Sequence, residues 1–295
     1  MKTSSNILLF PHPDFEGHFI HYDRTREFGW VVPEVGDAFL ADFYKSRYRN
    51  VRQENPSPDY VTGMRRRASA QRDFIIRHLK QSTLSSILDI GCGAGLLLEA
   101  FHNPRVKLVG FESDEVMARW AQASLAAAVI HNRYFSVQDE AAEKFDLITI
   151  SHVLEHIPRP GDFMRSLKEH LNPGGHVFIE VPNDPIDCVS IQANMRIKGL
   201  AHINFFTLPS LRSTLLEANY SDCWSDSYGG KIEDYWSEQI RGTPKRSRLA
   251  SLFRCKSSRK AVSDTAPTHA CPISGRGMYL RTLIKSAPSD SMSLD

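Results

Sequence analysis

From Ser85 onward the chain alternates short apolar runs with stretches of helical periodicity. SILDI, KLVGF, AAVIH, FDLITIS and HVFIEV carry few charges, the pattern of strands buried on both faces. Between them AGLLLEAFH, DEVMARWAQASLA and GDFMRSLKEHL repeat apolar residues at helical spacing. Strand and helix in alternation call for right-handed crossovers, so the pattern predicts an α/β fold with a doubly wound, mostly parallel sheet. LPSLRSTLLEAN adds a helix, with Pro209 and Ser210 suited to its start. YSDCWSDSY and RGMYLRTLIKS resemble a closing strand pair, set apart by a segment of different composition.

The flanks read differently. Residues 1–60 are rich in aromatics and prolines, show no core-like pattern, and have helical character only in FLADFYKSRYRN. In YVTGMRRRASAQRDFIIRHLK, Phe74, Ile75, His78 and Leu79 share one helical face, which predicts a helix packed on the strand-and-helix region C-terminal to it, with Arg65, Arg66 and Arg67 on its solvated side. The organisation expected is an aromatic-rich, partly helical N-terminal cap or lid over 1–80, a core over 81–230, a basic flexible insertion over 231–275, a last core strand over 276–286 and a disordered tail over 287–295.

Composition narrows the class. At 295 residues the chain is long enough for one elaborated domain. No apolar run approaches the roughly 18–20 residues of a spanning helix, and the apolar stretch before Pro11 is too short for a usual signal peptide. The five cysteines form no CxxC pair, which argues against a zinc ribbon or a disulfide framework and fits a reducing cytoplasm. A net charge of +2 implies no specific nucleic-acid partner. Charge is nonetheless local: RGTPKRSRLASLFRCKSSRK, residues 241–260, holds eight basic and no acidic residues, as either a surface insertion or a docking surface for an anionic substrate or lipid headgroup.

Candidate chemistry centres on LDIGCGAG, residues 88–95. A strand carrying Asp89, then Gly91, Gly93 and Gly95, then a helix, makes a turn in which backbone approaches a ligand where a Cβ would collide. The next strand, KLVGFE, ends in Glu112, a carboxylate placed to accept hydrogen bonds from both hydroxyls of a ribose. The two features agree on an adenosine-type ligand. A dinucleotide turn wants GxGxxG, whereas the spacing here is GxGxG, and the charge of Asp89 opposes a pyrophosphate but suits a ligand with ammonium and sulfonium groups, as in S-adenosylmethionine. A nicotinamide-dependent oxidoreductase and a non-catalytic adenosyl-binding module are the alternatives.

LDIGCGAG, VGFESD, FDLITISHVLEHIPRPGDFM and LNPGGHVFIEVPN together resemble the class I S-adenosylmethionine-dependent methyltransferases. AHINFFTLPSLRSTLLEANY is similar to the tail of the subgroup that includes ubiquinone-pathway O-methyltransferases and tailoring enzymes of small molecules and glycans. The resemblance implies a Rossmann-like sheet of about seven strands, the last one antiparallel, and methyl transfer to an oxygen, less readily a nitrogen or carbon, of a small molecule, sugar or lipid-linked acceptor. It implies that Asp89, Gly91, Cys92 and Gly93, with Gly95, hold the methionine end, that Glu112 and Ser113 hold the ribose, that Asn132 lies near the adenine, and that Ser151 and His152 line the crevice. Cys92 has no partner that would make it a nucleophile and reads as a small residue filling the turn.

HVLEH, residues 152–156, matches the inverted zinc-peptidase motif, but a strand precedes it and IPRPG ends any helix after it. Some methyltransferases bind a divalent ion through a Glu-x-x-Glu-His segment and a downstream histidine. Here His152 replaces the first glutamate, with Glu155, His156 and His202 following, and imidazole suits magnesium poorly, so no metal is expected. An acceptor oxygen or nitrogen must lose a proton, and His152 and His202 are the candidate bases, with His156 fixing the turn. Tyr44, Tyr48 and Tyr60 either cover the cofactor or belong to the core.

Overall fold

The computed structural model describes residues 6–43, 56–79, 84–136, 143–196, 201–231 and 277–286. The basic segment 241–260, Tyr44, Tyr48 and the tail 287–295 lie outside the described residues. Strands β4 (Ser86–Ile90), β5 (Lys107–Phe111), β6 (Ala128–His131), β7 (Phe145–Ser151) and β8 (Leu171–Pro182) stand where the apolar runs place them. With β10 (Tyr220–Lys231) and β11 (Gly277–Ser286) they form one sheet in the order β10-β11-β8-β7-β4-β5-β6. β4 to β8 are parallel to one another, and β11 runs antiparallel to both β8 and β10.

Alternate residues of these strands feed two cores. Ile87, Leu108, Leu147 and Phe178 meet α2 (Pro58–His78), α3 (Leu96–Ala100) and α4 (Glu115–Ser124) on one face. Leu88, Val109, Ile148 and Ile179 meet α5 (Pro160–Ser166) and α7 (Leu208–Glu217) on the other. Two-sided burial explains why the strands are continuously apolar. Helix starts follow local chemistry. Ser57 Oγ accepts from Tyr60 N–H ahead of Pro58 in α2, Asp114 Oδ1 accepts from Val116 and Met117 N–H in α4, and Thr207 with Ser210 makes a capping box in α7.

The N-terminal region departs from the expectation of an aromatic-rich, partly helical cap with no core-like pattern. β1 (Ile7–Pro11), β2 (Phe19–Asp23) and β3 (Phe28–Val32) form an antiparallel meander, extended by β9 (Asn204–Phe205). Phe15, Ile20, Tyr22, Val31, Leu40 and Phe43 give it a core of its own, shared with Val189 of α6 (Ile186–Asn194), a helix the sequence pattern did not reveal. Of the helical stretch expected over 39–50, residues 39–43 belong to α1 (Asp37–Phe43), and 44–50 lie outside the described residues. Tyr60 packs against the main core, which is the plainer of its two readings.

A second correction concerns α2. Arg65 is exposed and pairs with Glu99, but Arg67 turns inward and binds Glu180 of β8, which is fully buried. Arg281 of β11 binds the same carboxylate, and Gln71 donates to it at 3.0 Å. Burial opposes the Glu180 charge, and the two guanidiniums with His152 overcome it, holding the carboxyl well below its usual range. Among the described residues, no helix is long and apolar enough to cross a membrane.

Candidate active site

The carboxyl ends of β4, β5 and β7 converge on the glycine turn. Gly91 and Cys92 N–H both donate to Phe111 O, at 2.8 and 2.9 Å, which fastens the turn to the end of β5. Gly91, Gly93 and Gly95 have φ of 72°, 54° and 71°, a region costly for side-chain-bearing residues. The reason for glycine differs along the turn. A Cβ on Gly91 would come within 2.4 Å of Val153 Cγ2, and one on Gly95 within 3.1 Å of Ala121 Cβ, whereas one on Gly93 would meet no protein atom within 4 Å. Collision with a ligand is therefore not what demands glycine at Gly91; the neighbouring loop is. Cys92 is buried, its Sγ lying 2.8 Å from the place of a Cβ on Gly110, so the thiol fills the turn. Burial, with Asp89 and Glu112 nearby, pushes the thiol pKa well up and keeps it protonated.

Glu112 closes the turn from the next strand. Its Oε2 accepts from Gly93 N–H at 2.8 Å and its Oε1 from Asp114 N–H at 2.7 Å. Asn132, after β6, donates to Glu112 O at 2.9 Å and to Ser113 O at 3.3 Å, so it ties down the loop that carries both residues. Asp89 sits inside β4, in register with Thr149, whose hydroxyl donates to Asp89 Oδ1 at 2.6 Å. Burial, with Glu112 adding to it, raises the Asp89 carboxyl to about 7 against the pull of that hydrogen bond.

Beyond β7 lies a second group of side chains. Ser151 Oγ accepts from Gln71 at 2.9 Å. His152 has φ 56°, its N–H donates to Glu180 O, and its Nδ1 lies 3.2 Å from Glu155 Oε1. HVLEH is not a zinc-peptidase helix: Leu154–His156 is one 3-10 turn. That turn points Glu155 inward, 1 % exposed, beside His156 and His202. Neither Glu155 oxygen receives an aligned hydrogen bond, and His202 Nδ1 and Asp184 Oδ2 are buried without a partner. Burial would raise the Glu155 carboxyl, but His152, His156 and His202 bring it down to about 2. Burial lowers the His202 imidazole to about 3, which favours its neutral ring.

The nine expected cofactor residues thus gather at the carboxyl ends of the parallel strands: Asp89 near the end of β4 with Gly91, Cys92, Gly93 and Gly95 in the turn after it, Glu112 and Ser113 after β5, Asn132 after β6 and Ser151 at the end of β7. Thr149, Gln71, Arg67, Glu180, Arg281 and Asp184 escaped the sequence reading. Glu180 carried a signal, as a lone acid in the apolar run HVFIEV.

The model of a methyltransferase domain matches residues 60–223, more than half of the 295. A ubiquinone biosynthesis O-methyltransferase of Chromobacterium violaceum is 35% identical over 116 residues, 38% of this chain and 50% of that protein. One from Pseudomonas paraeruginosa is 32% identical over 103 residues, 33% of this chain and 44% of that protein. The chain spans half or less of the length of these relatives. The crystal structure of the YcgJ protein from Bacillus subtilis aligns with 74% of this chain and 99% of its own, at 16% identity and a TM-score of 0.49. Because the family match runs unbroken from α2 through the glycine turn, Glu112 and the residues after β7, the chain belongs to the methyltransferase-domain family, among the class I S-adenosylmethionine-dependent methyltransferases.

Proposed function

We propose that this chain moves a methyl group from S-adenosylmethionine to an oxygen of a small-molecule, sugar or lipid-linked acceptor. The observation that carries this reading is the coupling of the glycine turn to Glu112, through the 2.8 Å bond from Gly93 N–H. Gly93 and Asp114 N–H hold the Glu112 carboxylate at the end of β5, where it would meet the ribose hydroxyls, with Ser113 beside it and Asn132 holding the loop toward the adenine. Asp89, Gly91, Cys92, Gly93 and Gly95 shape the seat of the methionine end, and Ser151 borders it. When bound, the cofactor supplies a sulfonium-activated methyl group open to in-line displacement.

The protein's share of the work is to align the acceptor, exclude water and take its proton. His152 suits the last task. It follows β7, its side chain is 24 % exposed, and Glu155 stands 3.2 Å from Nδ1, where it orients the imidazole and steadies a positive charge on it. Nε2 is buried, 3.7 Å from Glu180 Oε1, with no aligned hydrogen bond of its own. The choice of oxygen draws on the ubiquinone-pathway relatives, which align with 33% and 38% of this chain.

Release of S-adenosylhomocysteine across a panel of hydroxylated acceptors tests the activity. His152→Ala is expected to lower kcat by about a hundredfold or more with S-adenosylhomocysteine affinity, measured by calorimetry, unchanged. Full turnover in that variant removes His152 as the base. Tight NAD binding with no response to S-adenosylhomocysteine overturns the cofactor reading, and cofactor binding with no turnover on any acceptor favours a non-catalytic module.

A further inference from the structure

The group behind His152 has a feature that methyl transfer does not call for. Glu155, His156 and His202 each offer one ligand atom, and these atoms lie within 4.8 Å of one another. Glu155 is 1 % exposed and neither of its oxygens receives an aligned hydrogen bond, although His152 Nδ1 stands 3.2 Å from Oε1. His202 Nδ1 and Asp184 Oδ2 are likewise buried and without a partner, 4.0 Å apart. Buried carboxylate oxygens and ring nitrogens gathered without aligned hydrogen bonds form a set that a cation would satisfy.

The imidazoles are oriented for this. His156 Nδ1 lies 3.0 Å from Ala201 O, so it carries the proton and donates, which leaves the Nε2 lone pair toward Glu155, 3.9 Å from Oε1. His202 is held through its backbone. His12 Nε2 donates to His202 O at 2.9 Å, Asp14 accepts from Ala201 N–H at 3.0 Å, and Ile203 N–H donates to Glu155 O at 2.9 Å. Gln192 donates to Asp184 Oδ1 at 2.8 Å, which turns Oδ2 toward His202. His156 and Asp184 are thus oriented by hydrogen bonds to the far atom of the same side-chain group, and Glu155 and His202 are positioned through their backbones.

We propose that Glu155, His156 and His202 bind a divalent transition-metal ion of the zinc or iron(II) class, with Asp184 Oδ2 placed to join them. Two imidazoles and a carboxylate form a borderline donor set that suits such ions and disfavours magnesium and calcium. The poor match of imidazole to magnesium, which weighs against that ion, does not extend to zinc or iron(II). Bonds of about 2.0–2.2 Å put neighbouring ligand atoms about 3.3 Å apart in a tetrahedron, so binding draws the ligand atoms together by about 1.5 Å or less. The ion ties the 3-10 turn after β7 to the segment 201–205, and through it to the N-terminal sheet. The metal site stands independently of the acceptor assignment, because its readouts involve no methyl transfer.

The test uses the full chain, stripped with a chelator and reloaded separately with zinc, cobalt(II) or magnesium, then passed through gel filtration. Elemental analysis is expected to find about one equivalent of zinc or cobalt retained and no magnesium. X-ray absorption on the zinc-loaded protein is expected to show nitrogen and oxygen neighbours with two imidazoles. The His156→Ala/His202→Ala variant is expected to lose retention, and Glu155→Gln to weaken it by about tenfold or more. No retention of zinc or cobalt by the wild-type chain overturns the proposal, and so does a thiolate-dominated coordination shell. Circular dichroism and S-adenosylhomocysteine calorimetry show whether each variant is folded, and the absorption spectrum of the wild type decides the ligands if a variant is not.

Discussion

Substituting Gly91→Ala separates two explanations of the glycine turn. Backbone at φ 72° costs a residue with a Cβ about 1–2 kcal/mol. The added methyl would also lie 2.4 Å from Val153 Cγ2, far inside the roughly 3.5–4.0 Å of a comfortable carbon contact. Overpacking of that kind costs about 1–3 kcal/mol, so the total is about 2–5 kcal/mol. The two terms respond differently to Val153→Ala: removing Cγ2 relieves the clash and leaves the backbone cost. Chemical denaturation of wild type, both single variants and the pair is expected to give a coupling energy of about 1–3 kcal/mol, with the double variant more stable than the sum of the singles requires. Because Val153 is next to His152, displacing it should also lower kcat in Gly91→Ala, and Val153→Ala should restore part of that loss. Additive effects, or a Gly91→Ala cost below about 1 kcal/mol, would refute the packing argument.

Glu180→Ala leaves Arg67 and Arg281 buried without their shared carboxylate, and denaturation is expected to show a loss of about 3–5 kcal/mol; a loss under about 1 kcal/mol would mean that the triad is not buried as described. Asp89 gives a pH signature in the cofactor-free chain. Its carboxyl is raised from 3.8 to about 7, so the folded state holds the proton more tightly than the unfolded state does, and the stability this adds is complete below 3.8 and lost as pH rises through about 7. The whole loss is of order 4 kcal/mol, of which about 3 kcal/mol falls between pH 5 and pH 8, so denaturation at those two pH values should show a smaller fall in Asp89→Asn than in wild type; equal falls in both would exclude Asp89 as the source.

The parts of the fold that were legible in the sequence share one physical cause. β4, β5, β7 and β8 are buried on both faces, so their apolar runs are unbroken, and Glu112 stands out as the acid that ends one of them. The N-terminal meander has no such mark. Ile7, Leu9 and Phe19 lie on its exposed face while Ile20, Tyr22 and Val31 lie on its buried one, so both faces are apolar and the period of two disappears. β9 is two residues long and pairs with a strand far away in sequence, which no local pattern encodes. Arg67 was misplaced for a related reason: its partner Glu180 is 113 residues away, and only the tertiary structure distinguishes it from Arg65 and Arg66.

The same long-range pairings explain how the site keeps its shape. His152 and Ala201 both occupy left-handed backbone, at φ 56° and 52°, which costs about 1–3 kcal/mol each and persists only where the surroundings fix it. At His152 the restraint comes from β8, through Glu180 O. At Ala201 it comes from the N-terminal region, through Asp14, while Val31 N–H donates to Ile203 O at 3.1 Å. The first strands of the chain therefore do more than cover the crevice. They supply the backbone contacts that set His202 opposite Glu155, so the meander hidden in the sequence is a structural component of the cluster whose residues the sequence displayed openly as HVLEH and AHINFF.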